Sequence, residues 1–357
     1  MQKIHIALVA PAGFAPDDAA FLRGIARLEA ANCVVHNYYV PHEKYQRFGG
    51  TDASRLQQLI DASQNPQVDV IMAVRGSYGI SRLLELADWG QLAAGNKLWV
   101  GYSDVTALHC ALMSVGGDGC FAGPMVCDDF SRDDSSEFSL QHFWQCLQQP
   151  ETTLHIDAGA VHADGTPLVH SGSTALLHQT GGSAVPTGSQ GTSRAAPAPI
   201  SAALSTGVAR ATCKNPAVQC EGTLWGGNLA MLVSLLGTPY FPHIDGGILF
   251  IEDVGEHPYR VERMLLQLLH AGVLARQQAL IFGNFTHYRL GQYENGYDFD
   301  AMLAFLRQRL PLPVITGLPF GHGKERVTLP LGCNAQLDAG GQHFSLKMRG
   351  YRFLDRD

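Results

Sequence analysis

The stretch KLWVGYSDVTALHCALMSVGG, Lys97 to Gly117, decides the fold. Leu98-Trp99-Val100 is a short apolar run of the kind a buried strand presents, and Val105 to Met113 has the spacing of a helix. Between them lie only Gly101, Tyr102, Ser103 and Asp104. A strand that passes so abruptly into a helix is one βα unit of an α/β fold. The serine at the bend has two readings. Serine is a favoured helix cap, and a strained strand-to-helix turn also lifts a serine hydroxyl out as a nucleophile. Val105 stands where the last glycine of a GxSxG elbow would be.

The same alternation runs outward from this unit. Upstream, IHIALVAP, CVVHNYYV and VDVIMAVRG read as strands, and DDAAFLRGIARLEAAN, TDASRLQQLIDAS and ISRLLELADW as helices. Downstream come strand CFAGPMV and helix EFSLQHFWQCLQQ. Repeated βα units predict a mostly parallel sheet flanked by helices over residues 1–150. Residues 151–219 are expected to link two domains, with a low-complexity insertion from about Ala160 to Pro216 that is rich in Gly, Ser, Ala, Thr and Pro. A second, smaller α/β domain is expected over residues 220–357. It contains strand GGILFIEDVGE, helix PYRVERMLLQLLHAG, strand QALIFGNF, helix DFDAMLAFLRQRL, strand PVITGLPFG and a β-rich end.

A chain of 357 residues that is 46% hydrophobic and 16% charged can bury two substantial cores. Its net charge of -7, with no basic run, argues against a nucleic-acid partner. The apolar segment at the N-terminus is too short for a membrane span and lies inside a strand-turn-helix pattern, so neither a signal peptide nor a membrane anchor is expected. None of the eight cysteines forms a CxxC pair, and the histidines show no metal-ligand spacing, so no metal or cofactor is expected. Reduced thiols fit a cytoplasmic protein.

Ligands of open α/β sheets bind beyond the carboxyl ends of strands. Three polar groups stand there: Ser103 after LWVGY, Glu252 with Asp253 after GGILFI, and His322 after PVITGLPFG. A serine, an acid and a histidine are the parts of a hydrolytic triad. Each also has a plain structural use: Ser103 as a cap, Glu252 in an ion pair with Arg260 or Arg263, His322 as a loop residue. His257 and His109 are rival bases. The loop AVRGSYGISRLL brings Arg75, Gly76 and Ser77 to another strand end, where backbone N–H groups can face a developing oxyanion.

Together, AVRGSYGISRLL, GYSDVTALHCAL, FAGPM, EGTLWGGNLAMLVSLLGTP, LFIEDVGEHPYRVERMLLQL and TGLPFGHGKERVTLPLG resemble the LD-carboxypeptidase family, over nearly all of the chain except the insertion. The resemblance implies Ser103 as nucleophile, Glu252 as acid and His322 as base, with the site divided between the two domains. It implies release of the terminal D-Ala from a murein tetrapeptide during cell-wall recycling in the cytoplasm, by an enzyme that is often a homodimer and needs no metal. The backbone N–H groups of Asp104 and of Gly76 or Ser77 are then the expected oxyanion donors. Arg75 is a candidate for the substrate carboxylate, as are nearby backbone donors, and Trp225 and Asn228 are candidates for the cleft, with domain packing as their plain structural use. Ser77 departs from the family, which commonly has glycine there. An immunity-type peptidase acting on a peptidyl-nucleotide antibiotic, or an inactive murein-peptide-binding protein, is the alternative.

Overall fold

The computed structural model describes residues 2–161, 167–172, 206–207 and 214–355. Its first half is built from strands β1 (Ile4–Val9), β2 (Cys33–Asn37), β3 (Val70–Ala73), β4 (Leu98–Gly101) and β5 (Cys120–Ala122). Between and after them come helices α1 (Asp18–Ala30), α2 (Asp52–Gln64), α3 (Trp89–Ala94), α4 (Val105–Ser114) and α5 (Glu137–Gln148). Asp17, Thr51 and Ser136 cap α1, α2 and α5 by accepting backbone N–H bonds in the first turn. All pairings among β1–β5 are parallel. Every residue of β3, β4 and β5 is buried, as helices on both faces require.

The helix expected over Ile80 to Trp89 does not form. A single 3₁₀ turn at Ile80–Arg82 is followed by turns, and α3 begins only at Trp89. The Ile80 N–H is held 2.9 Å from the Asp104 carboxylate, and Asp88 caps α3 through the Gln91 N–H.

The second half contains strands β6 (Glu151–Val161), β7 (Pro167–Gly172), β8 (Thr206–Gly207), β9 (Asn215–Asn228), β10 (Gly247–Val254), β11 (Gln277–Thr286), β12 (Tyr288–Arg289), β13 (Val314–Thr316), β14 (Leu329–Pro330), β15 (Asn334–Gly341) and β16 (His343–Arg349). Helices α6 (Leu229–Ser234), α7 (Pro258–His270) and α8 (Phe299–Arg309) join them. The six-stranded sheet has the order β14-β5-β4-β3-β1-β2, the eight-stranded sheet β13-β11-β10-β9-β15-β16-β6-β7, and β8 pairs with β12 alone. β9, β10, β11 and β13 are parallel neighbours, and β15, β16, β6 and β7 continue the sheet antiparallel.

Two features cross the expected domain boundaries. β6 and β7 lie in the segment 151–219, expected to be a linker, yet both are strands of the eight-stranded sheet. In β6 the buried Thr152, Leu154 and Ile156 alternate with outward-facing residues, a period-two pattern that needs a sheet face to cover. Conversely, β14 leaves the second half and pairs antiparallel with β5 of the first sheet. Of the expected insertion, residues 162–166, 173–205 and 208–213 lie outside the described residues. So does Cys213; no disulfide joins two of the seven described cysteines.

β9 passes β10 at very close range at Gly226. A Cβ placed there would sit 1.9 Å from the Phe250 carbonyl oxygen, and φ is +142°, a conformation disfavoured for any side chain. Gly226→Ala is therefore expected to lower unfolding free energy by about 2 kcal/mol or more. Denaturant melts of the two proteins check this, and an unchanged midpoint would contradict it.

Candidate active site

β4 ends at Gly101, and the chain turns into α4 through Ser103, whose φ is +61°. A left-handed conformation at a non-glycine residue is strained by roughly 1–2 kcal/mol. The strain does not serve capping: the cap position of α4 is Asp104, and its side chain makes no cap bond. Among the described residues the Ser103 hydroxyl has no hydrogen-bond partner, so it is presented free at the bend.

The loop after β3 closes on this bend. A Cβ at Gly76 would lie 2.9 Å from Ser103 Cβ and 3.1 Å from Ser103 Oγ, so only a bare glycine backbone fits so near the serine. Asp104 fastens the loop, its Oδ2 accepting from the Ile80 N–H. Burial pushes the Asp104 carboxyl up to about 6, against the pull of that bond and of Arg55. Arg55, itself buried, donates to the carbonyls of Gly79, at 3.0 Å, and of Pro11. Ser77 has φ +82°, and its hydroxyl accepts from Arg47 at 3.0 Å. The N–H groups of Asp104, Gly76 and Ser77 take no part in the backbone hydrogen bonds of these turns.

Glu252 and His322 come from the other sheet. Glu252, in β10, has no exposed surface. Its Oε2 lies 2.7 Å from His322 Nδ1, and its Oε1 accepts from Asn228 Nδ2 at 3.2 Å. Arg260 pairs instead with Glu256. Gly321, at φ +129°, permits the close bond: a Cβ there would be 2.8 Å from Glu252 Oε2. Burial disfavours the charged imidazole of His322, but the Glu252 carboxylate, by charge and hydrogen bond together, outweighs it. The His322 pKa is raised above its ordinary value.

The serine and histidine arms meet at Tyr102, whose ring centroid is 5.1 Å from that of His322. Among the described residues no hydrogen bond joins Ser103 to His322, and such bonds commonly tighten only when substrate is bound. The rival bases are engaged elsewhere. His109 is buried against the Trp99 carbonyl, and burial lowers it to about 4. His257 caps α7.

The two cleft candidates are internal. Trp225 is 1% exposed, with its indole N–H donated to Gln277 Oε1 at 2.9 Å, so it packs the core and lines no cleft. Asn228 is a strut. Its Nδ2 bridges Glu252 and Asp253, at 3.2 and 2.9 Å, while its Oδ1 caps α6 and its backbone N–H reaches Thr106 of α4 at 3.0 Å. Burial, then the Glu252 charge, pushes Asp253 up to about 7. Arg75 is half-buried beside Gly76 and forms no ion pair among the described residues. Sequence reasoning missed Asp129 and Arg326, which approach the site only through the fold. Among the described residues no group of three His, Cys, Asp or Glu side chains could hold a metal, and no helix is long and apolar enough to cross a membrane.

Two family models match this arrangement half by half: the LD-carboxypeptidase N-terminal domain over residues 6–123 and its C-terminal domain over 221–337, more than half of the chain between them. The chain belongs to the LD-carboxypeptidase family. It is an enzyme of the carboxypeptidase class. The crystal structure of muramoyltetrapeptide carboxypeptidase from Oxalobacter formigenes is 40% identical and superposes with a TM-score of 0.79, covering 98% of this chain and 99% of that one. The murein tetrapeptide carboxypeptidase of Pseudomonas aeruginosa is 28% identical over 94% of this chain and 93% of its own. A structure of the microcin C7 self-immunity protein, at 20% identity and a TM-score of 0.75 over 99% of this chain and 98% of that one, shares the fold.

A base with a raised pKa must shed its proton before it can act. With His322 in the role of base, kcat/KM is expected to fall on the acid side through a pKa above the ordinary histidine value. Glu252→Gln removes the charge that favours the imidazolium, so the acid limb should move to lower pH while the plateau drops by about 100-fold or more. A pH–rate series on both proteins reads this, and an acid limb that stays in place in the variant would contradict it.

Proposed function

We propose that the enzyme releases the C-terminal D-residue from murein tetrapeptides, with Ser103 as nucleophile, His322 as general base and Glu252 as the acid that orients the base. One observation carries this: a wholly buried glutamate holds a histidine at 2.7 Å, and that histidine packs on the tyrosine that precedes a serine in a strained, left-handed turn. With its Nδ1 hydrogen donated to Glu252, the imidazole keeps Nε2 free to take the Ser103 proton. The alkoxide attacks the carbonyl that precedes the terminal residue. The oxyanion meets the N–H groups of Asp104 and of Gly76 or Ser77. The imidazolium, steadied by Glu252, gives its proton to the departing amine, and water then hydrolyses the ester on Ser103 by the same route in reverse.

An exopeptidase must recognise a free carboxylate. Arg75, half-buried beside Gly76, is the cation we assign to it. A substrate made of murein peptide fits a place in cell-wall recycling in the cytoplasm, and the family likeness supports a homodimer. The names of the Oxalobacter and Pseudomonas relatives support the murein substrate. The immunity protein, at 20% identity, supports the fold alone.

Incubation with a murein tetrapeptide and mass detection of free D-Ala tests the substrate. Ser103→Ala should retain the fold and lose at least about 1,000-fold in kcat. Turnover of a peptidyl nucleotide with no turnover of the tetrapeptide would replace the murein reading, and an active Ser103→Ala would end the serine mechanism. Arg75→Gln should raise KM by about tenfold with a smaller change in kcat, as loss of a ground-state carboxylate contact does. An unchanged KM would assign the carboxylate to another group.

A further inference from the structure

We propose that Arg326 is a positioning residue, which sets the His322 loop against the Ser103 turn by gripping both at once. The proposal rests on the assignment of Ser103 and His322 above. The Arg326 side chain is 2% exposed. Its Nε donates to the Gly321 carbonyl at 3.1 Å and its Nη2 to the Gly323 carbonyl at 3.2 Å, the residues on either side of His322. Its Nη1 pairs with Asp129, whose other oxygen accepts from the Met125 N–H at 2.8 Å, in the turn that follows β5 of the nucleophile sheet. The face of the guanidinium lies over Tyr102, 4.0 Å from the ring centroid.

Tyr102 is the residue before Ser103, and the His322 ring contacts the same aromatic side chain at 5.1 Å. One guanidinium therefore touches the backbone on both sides of the base, the residue next to the nucleophile, and an anion fixed to the nucleophile sheet. Its backbone N–H adds a fifth contact, to Ser139 Oγ of α5 at 2.8 Å.

An ion pair kept only for stability is a weak reason to bury two charges, because apolar side chains of similar volume commonly serve as well or better. The contacts here need the particular shape of arginine. A planar fork can send hydrogen bonds in three directions within its plane and still offer a face to an aromatic ring. Lysine could keep the charge opposite Asp129 but could not hold both carbonyls and stack on Tyr102. Arg326 has no route to the substrate in this account. It acts through His322 and Ser103 by fixing their separation, and displacements of about 1 Å in such pairs cost about 100-fold in rate.

The test compares wild-type enzyme with Arg326→Lys and with the charge-neutral pair Asp129→Asn/Arg326→Met, which leaves no buried carboxylate unpaired. Three quantities are read on each full-length protein: the thermal melt, kcat and KM on the murein tetrapeptide, and the low-field proton resonance of the His322 Nδ1–H bonded to Glu252. We expect cooperative melts, KM within about twofold of wild type, kcat reduced by about 100-fold in both variants, and a shifted or broadened low-field resonance. If the double variant does not melt cooperatively, Arg326→Lys carries the comparison. A folded variant with wild-type kcat and an unmoved resonance would make Arg326 a structural ion pair only and overturn the proposal. If wild-type enzyme fails to cleave the tetrapeptide, the substrate assignment falls. The resonance then decides alone: its perturbation in a folded variant supports the positioning role, and its persistence overturns it.

Discussion

A glutamate with no exposed surface must find partners inside the protein, and much of the site follows from how Glu252 finds them. One oxygen takes the His322 Nδ1 bond at 2.7 Å, and the other accepts from the Asn228 amide. Those bonds demand that residue 321 have no side chain, that β10 end level with the His322 loop, and that β9 pass close enough for Asn228 to reach over. The bare backbone at Gly321 is thus a consequence of the buried carboxylate, whereas Gly226 answers to the Phe250 carbonyl and Gly227 to the Thr106 side chain. Removing one member of such a pair leaves an uncompensated buried charge, an error of about 3–5 kcal/mol.

The pair alone makes no nucleophile. The serine belongs to the other sheet, and the two sheets are tied at several levels. β14 crosses from the second half to extend the first sheet beyond β5. The Asn228 N–H reaches Thr106 in the first turn of the helix that follows Ser103. The Arg326 N–H and the Thr328 N–H bond to Ser139 and His142 of α5. The Thr106 and Arg326 ties lie within a few residues of Ser103 and His322. The strain at Ser103 persists because the surrounding contacts over-determine the turn, as strained functional residues require.

The βα alternation was legible because buried parallel strands read as short apolar runs and their helices as periodic ones. The three polar groups at strand ends were legible for a related reason: a chain emerging from a buried run shows its first polar residue where ligands approach. Other features were hidden. β6 alternates in and out over residues 152–156 and, with β7, borders a segment of low complexity, so composition masked both strands. Trp225 and Asn228 stood beside a motif, but sequence could not tell a residue that lines a cleft from one that braces its wall. Asp129 and Arg326 are separated by 197 positions, and nothing local marks either as the other's partner. The broken helix near Ile80 has the same origin, since its first N–H is captured by Asp104, 24 residues away.

The central claim is that Ser103, His322 and Glu252, brought from two sheets, act as one unit. Double-mutant kinetics tests it most directly. Purified, folded Ser103→Ala, His322→Ala and the Ser103→Ala/His322→Ala pair should all be nearly equally slow on the tetrapeptide, because removing one member already disables the unit. Losses that multiply in the double variant, each single change costing its own independent factor, would contradict the account.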